Sequence, residues 1–420
     1  MAAILPVRTT VKTARPLRSK RRSIDRLGEE HRRPLPDLLC DSCDTRYPVD
    51  SLAWKCRCGG ILNVAPFPIT FDPASLAART PTMWRYQEAL PIAVDDGISL
   101  GEGMSPMVPS KRLPGVLLKL DFLMPTLSFK DRGAVVLATL AAQLGVSSAM
   151  VDSSGNAGTA IAAYFARAAV PCTVLVPAST SAAKLAQMRA HGATVELVPG
   201  SRADTSAAGL AWADKPGVMY ASHIYHPYFL HGVKTYGYEI WEQLGGQLPD
   251  TVVVPVGNGT MVLGCYLAFS ELVASGLAAR MPKLIAVQAS ACSPLERAIE
   301  EGFDLPVAID PSPTVAEGIA IAAPPRGAQI LRAIRATGGT IVSVTDEQIA
   351  AARTELSADG LFVEPTSAVC WAAVRTAADR TYDATRSTWR AAGPNLVDGT
   401  IVVPLCGAGL KSPSNEGLHA

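Results

Sequence analysis

Charge is scarce in this chain: 18% of its 420 residues are Asp, Glu, Lys or Arg, against 48% hydrophobic residues, and the net charge is +1. That balance suits a compact α/β body large enough to bury a sizeable core in two or more packed units. Long apolar runs are missing too. The most apolar helical stretch, residues 260–274, carries Ser270 and Glu271, so no membrane span is expected. The N-terminus lacks the apolar core of a secretory signal. A basic folded face is also lacking. Residues 1–33 hold ten Lys or Arg against three Asp or Glu, about +7, which leaves about −6 for the remainder. A basic tail on an acidic body argues against a nucleic-acid-binding domain. Residues 1–24 contain no acid and many Arg, Thr and Ser. We read residues 1–36 as a disordered basic tail on a cytoplasmic protein; the alternative is an organelle transit peptide. No internal repeat occurs.

Nine cysteines are present, and four of them cluster as Cys40-x-x-Cys43 and Cys56-x-Cys58-Gly59-Gly60. Two close pairs on tight turns place four thiolates tetrahedrally around zinc. Residues 37–64 are too few to bury a core, which favours a zinc-ribbon-like segment over four free thiols. No histidine or open position is evident, so the metal's role is structural.

From Leu100 onward short apolar runs alternate with helical segments. The runs lie at 116–120, 149–151, 173–176, 194–198, 252–256, 284–287, 340–344 and 401–405. This alternation predicts doubly wound parallel sheets with helices on both faces. One catalytic unit is expected over residues 65–415, with a smaller subdomain at about 130–230.

Ser128-Phe129-Lys130-Asp131-Arg132-Gly133 stands between the run at 116–120 and a helical segment at 134–144. Ser128 and Asp131 have capping spacing, which puts Lys130 in the first helical turn. There the helix dipole and enclosure in a cleft both lower a lysine's pKa, as imine chemistry requires. Alone, the hexapeptide reads equally well as a charged surface turn. Ser153-Ser154-Gly155-Asn156 and Gly257-Asn258-Gly259-Thr260 each follow a strand and open a helix. Small residues there admit close backbone approach, and the second turn suits a phosphate. It is neither a Walker loop nor a dinucleotide fingerprint, which speaks against a nicotinamide dehydrogenase. Cys406-Gly407-Ala408-Gly409-Leu410-Lys411 follows the last strand. Ligands of open parallel sheets bind at the carboxyl ends of strands, so these segments are expected to share one cleft.

Together with Gly101-Glu102-Gly103-Met104-Ser105-Pro106 and Gly232-Val233-Lys234-Thr235, these motifs resemble the pyridoxal-phosphate enzymes of the tryptophan synthase β-subunit fold. Within that fold they resemble the threonine synthase family, over roughly residues 38–415. The resemblance implies that Lys130 bonds the cofactor's aldehyde carbon and then serves as general base and acid. It implies that Asn156 donates to the cofactor's 3-hydroxyl. Gly257, Asn258, Gly259 and Thr260 would hold the 5-phosphate, and Cys406 would face the pyridine nitrogen, where the family has Thr or Ser. The implied activity is that of a lyase acting at the β or γ carbon of an amino acid, with loss of phosphate. The alternatives are cysteate synthase-like replacement on phosphoserine and a serine/threonine ammonia-lyase. A catalytically silent cofactor-binding protein is opposed by the intact Lys130 and Asn156. A homodimer is the default expectation.

Two residues depart from the family pattern. His226-Pro227-Tyr228-Phe229 stands where the family reads Asn-Pro-Tyr-Arg, so the arginine that grips the substrate's phosphate is Phe229 here. Leu127 replaces a usual glycine. Lys184, Arg189 and Lys234 are the candidate compensating cations, and His223, His226 and His231 the candidate polar groups, each histidine more simply read as a helix-start or surface residue.

Overall fold

The computed structural model describes residues 34–382 and 399–411. The segment read as a basic tail lies outside them except for residues 34–36, as do residues 383–398 and 412–415 of the expected catalytic unit.

Three short antiparallel strands come first, β1 (Leu38–Cys40), β2 (Arg46–Tyr47) and β3 (Leu62–Val64), ordered β2-β1-β3. They are too small to enclose a core, and Leu38, Leu62 and Val64 join the main apolar cluster instead. After the short helix α1 (Pro73–Leu76) come the edge strand β4 (Met107–Pro109) and β5 (Val116–Lys119).

The chain then alternates through α2 (Asp131–Gln143), β6 (Ser148–Val151), α3 (Asn156–Arg167), β7 (Cys172–Pro177), α4 (Ala182–Ala190), β8 (Thr194–Val198), α5 (Arg202–Ala213) and β9 (Val218–Tyr220). These strands form an all-parallel sheet in the order β8-β7-β6-β9. Two helices, α6 (Pro227–Val233) and α7 (Thr235–Gln243), lead back to a larger sheet. The remaining elements are β10 (Thr251–Pro255), α8 (Thr260–Ala274), β11 (Lys283–Ala289), α9 (Pro294–Glu300), α10 (Gly327–Ala336), β12 (Thr340–Val344), α11 (Asp346–Ala358), α12 (Pro365–Tyr382) and β13 (Ile401–Pro404). The larger sheet runs β12-β11-β10-β13-β5-β4.

All eight apolar runs are strands. All five residues of β10 are buried, as a strand covered on both faces requires, and each such valine contributes about 1.5–3 kcal/mol of burial. One neighbour pair departs from the expected parallel arrangement: β4 runs antiparallel to β5. Six residues, 110–115, join them, enough for an antiparallel return but not for a parallel crossover of about a dozen residues. Pro109 is tolerated because β4 is an edge.

The helix after β5 begins at Asp131, not at Ser128. Ser128 is instead drawn into an antiparallel bridge with Gly407, while Phe129 N–H donates to the Cys406 carbonyl at 2.9 Å. From this bridge the chain turns directly into the helix, with Asp131 N–H donating to the Ser128 carbonyl at 3.3 Å and Arg132 N–H to the Phe129 carbonyl at 3.2 Å; no side chain caps the helix, and Lys130 takes the N-cap position. Leu127, just before it, has φ +64°, a left-handed conformation that explains why glycine is the commoner choice there.

Candidate active site

The loops after β5, β6, β10 and β13 open into one cavity of about 840 Å³, lined by Lys130, Asn156, Gly257, Asn258, Gly259, Thr260 and Cys406. Every residue expected to hold the cofactor therefore faces the same space, at the carboxyl ends of the strands.

Lys130 projects from the N-terminus of α2 into this cavity, with Nζ 3.3 Å from Thr260 Oγ1 and 4.4 Å from the Phe129 ring centroid. Enclosure by protein pushes its pKa down to about 8, with Cys406 and Glu364 opposing the shift. The lowering expected from sequence is present, and desolvation is its main cause. The neighbouring acid is withdrawn from the cavity: Asp131 accepts from Thr126 N–H at 2.6 Å and from the Thr126 hydroxyl, and burial raises it to about 7.

Gly259 adopts φ +79° at the start of α8, and a Cβ there would lie 2.3 Å from Ile330 Cδ1. Only glycine turns the backbone so tightly against α10. The first N–H groups of α8 have no acceptor within the helix, which makes the turn an anion cradle. In the other turn, a Cβ on Gly155 would meet nothing within 4 Å, so the cavity is open at that point. Cys406 is buried, with Sγ 3.4 Å from Ser367 Oγ, and burial raises the thiol to about 12, so it is neutral at working pH.

The pyridoxal phosphate implied by the resemblance fits this chemistry. The cavity offers an amine of lowered basicity, an anion cradle without a cation, and room at Gly155.

Some expectations are corrected. Of the three histidines, only His223 lines the cavity, where enclosure, Lys130 and Arg202 push its pKa well down. His226 is the buried N-cap residue of α6, and His231 is buried with its ring 5.6 Å from Phe67, so neither is a surface residue. Among the candidate cations, Lys184 lines the cavity and pairs with Glu317 at 3.1 Å. Lys234 is spent in a buried pair with Glu271 at 2.7 Å, and Arg189 is exposed outside the cavity lining. Sequence reading passed over Arg202, Arg353 and Glu364, all of which line the cavity. Glu364 precedes Pro365 at the start of α12, where an acid reads as an ordinary helix-start residue, so no local signal marked it.

At the N-terminal sheet, the four cysteine sulfurs all lie within 4.8 Å of one another. Cys40 Sγ is 3.6 Å from Cys58 Sγ, and Cys43 Sγ is 3.5 Å from Cys56 Sγ. Ser42 N–H donates to Cys40 Sγ and Gly60 N–H to Cys58 Sγ, each at 3.4 Å, and Tyr47 Oη–H donates to Cys56 Sγ at 3.3 Å. Donors aimed at sulfur stabilise thiolates, and the donor set suits tetrahedral zinc.

Residues 98–387 match the family described as pyridoxal-phosphate dependent enzyme. A threonine synthase of Methanosarcina acetivorans is 35% identical over 353 residues, covering 81% of this chain and 87% of that protein. One of Methanocaldococcus jannaschii is 35% identical over 342 residues, covering 78% and 84%. Among solved structures, threonine deaminase isoform 2 of Solanum lycopersicum superposes with a TM-score of 0.63 at 22% identity, over 75% of this chain and 81% of that one.

Proposed function

This chain belongs to the pyridoxal-phosphate-dependent enzymes, in the threonine synthase family, and on that footing we propose that this lyase eliminates or replaces a group at the β or γ carbon of an amino acid. The observation that carries the reading is the cavity-facing Lys130, with its lowered pKa, set beside the Gly257 turn and Asn156.

Lys130, Asn156, Gly257, Asn258, Gly259, Thr260 and Cys406 are the residues that would hold the cofactor. Bound there, pyridoxal phosphate supplies an electron-withdrawing ring that acidifies the Cα–H of an attached amino acid. The chain's own part is proton handling and exclusion of water. Lys130 Nζ, near neutrality in its basicity, takes the proton from substrate Cα and later returns it. Thr260 Oγ1 orients the amine. Neutral Cys406 places no charge against the ring, which leaves it a moderate electron sink and favours elimination and replacement over transamination.

Phe229 bears on the substrate. It is fully buried against Gly133, where a Cβ would lie 2.4 Å from its ring, and it is not among the residues lining the cavity, so the position that the resemblance gives to an arginine offers the substrate no cation. We take the substrate to be smaller or less charged than O-phosphohomoserine, with replacement on phosphoserine as the second reading, since Lys184 and Arg202 remain on the cavity wall for an anion. A structural zinc at Cys40, Cys43, Cys56 and Cys58, and a homodimer, complete the proposal. The test is borohydride reduction followed by peptide mapping, with label on Lys130 expected; label on another lysine overturns the assignment.

A further inference from the structure

Glu364 has no part in the reading so far, yet the fold goes to some length to place it. Val363 bridges Ala408, and Glu364 N–H donates to the Gly407 carbonyl at 3.0 Å, which lays the residue alongside the loop after β13. A Cβ at position 407 would lie 2.2 Å from Glu364 Oε1, so glycine is required there for the carboxyl to enter the cavity. Once inside, both carboxylate oxygens accept from Asn156 Nδ2, each at 3.0 Å. This engages one side of the amide and leaves its remaining N–H and Oδ1 for the cavity. The charged groups facing the carboxyl come from several elements: Lys130 from α2, Lys184 from α4, Arg353 from α11 and Lys411 after β13, with the Cys406 thiol also near.

We propose that Glu364 is a positioning residue for the cofactor, holding the Asn156 amide and setting a titrating carboxyl against the edge of the ring that Asn156 contacts. This rests on the reading above that Asn156 faces the ring's 3-hydroxyl. Two negative groups on one amide repel, so an ionised Glu364 holds the proton on the 3-oxygen, and a protonated one releases it. Enclosure already raises Glu364 above the usual carboxylate range, with the Asn156 hydrogen bond opposing the shift, then Lys411, Lys130 and Lys184.

The experiment is a pH titration of the visible absorption of the cofactor-loaded protein. One transition is expected above the ordinary carboxylate range, and Glu364→Gln is expected to abolish it while borohydride still fixes the cofactor to Lys130. Affinity is measured in parallel with pyridoxal phosphate and with its 3-deoxy analogue. The variant should lose about tenfold for the natural cofactor and nothing for the analogue. An unchanged transition in Glu364→Gln, or equal losses for both aldehydes, overturns the inference. If the glutamine variant does not fold, Glu364→Ala, which removes both the carboxyl and the hold on Asn156, is put to the same two measurements, with the same outcomes expected. Borohydride label elsewhere than Lys130 in the unaltered protein would instead sink the functional reading itself.

Discussion

The ammonium of Lys130 lies 6.0 Å from the centroid of the Phe229 ring, and His223 lies 6.0 Å from the same ring by centroids. A phenyl group thus stands near the reacting amine where the family resemblance leads one to expect a guanidinium. Loss of one charge-assisted contact costs about 1.5–3 kcal/mol, or roughly ten- to a hundredfold in binding. Weak or absent threonine formation from O-phosphohomoserine is therefore expected, with better turnover of a smaller or less charged amino acid. Phosphate release and amino-acid products, followed with O-phosphohomoserine, O-phosphoserine with and without sulfite, serine and threonine, decide it. Efficient and exclusive threonine formation would restore the plain family assignment.

Protein carrying its cofactor should be yellow, and Lys130→Ala colourless after purification. With its pKa lowered to about 8, Lys130 is increasingly neutral as pH rises through that value. The uptake of pyridoxal phosphate by apoprotein should accelerate with pH and level off above about 8, whereas an ordinary lysine would go on gaining toward about 10.4. A stopped-flow pH series measures this, and a rate still climbing at high pH would contradict the lowered basicity.

Cys406 should tolerate threonine. The thiol is neutral and touches Ser367 Oγ, so Cys406→Thr keeps an uncharged group in place. Cys406→Asp adds a second carboxyl close to Glu364, and the like charges should weaken cofactor binding, shift the spectrum and raise transamination. Identical spectra and product ratios in all three proteins would place residue 406 away from the ring.

One zinc per chain is expected from metal analysis of protein kept reduced. Serine at Cys40, Cys43, Cys56 or Cys58 should lower stability or solubility and leave the cofactor spectrum unchanged. Metal-free protein with full stability would exclude the site.

Arg326 is a buried tie between this cysteine-bearing sheet and the rest of the chain. Only 1% exposed, it donates to the Leu62, Ile224 and Tyr225 carbonyls at 3.0, 2.7 and 3.0 Å and to Asn63 Oδ1 at 3.1 Å. Arg326→Met leaves buried acceptors unpaired and should cost about 3 kcal/mol or more in urea unfolding. Arg332→Ala, which breaks an exposed pair with Asp41, should cost less than about 1 kcal/mol. Equal losses would show that Arg326 carries no special burden.

Local pattern alone determined a good deal. The eight apolar runs, the glycine turns and the two close cysteine pairs are short-range signals, because strand burial and tight turns depend on a few consecutive residues, whereas Lys130 stood out only in company with the other motifs. Tertiary structure decided the rest, since those outcomes depend on what another segment brings. Ser128 lost its cap to a bridge with Gly407, some 280 positions away in the sequence. His226, His231 and Lys234 were taken into the core, leaving His223 and Lys184 at the cavity. Glu364 reaches the cavity only because the loop after β13 offers a glycine for it to pass, and Asn156, more than 200 residues earlier, meets it there. Hydrogen bonds and desolvation between such distant segments have no periodicity to read in a sequence; only the packed chain creates them.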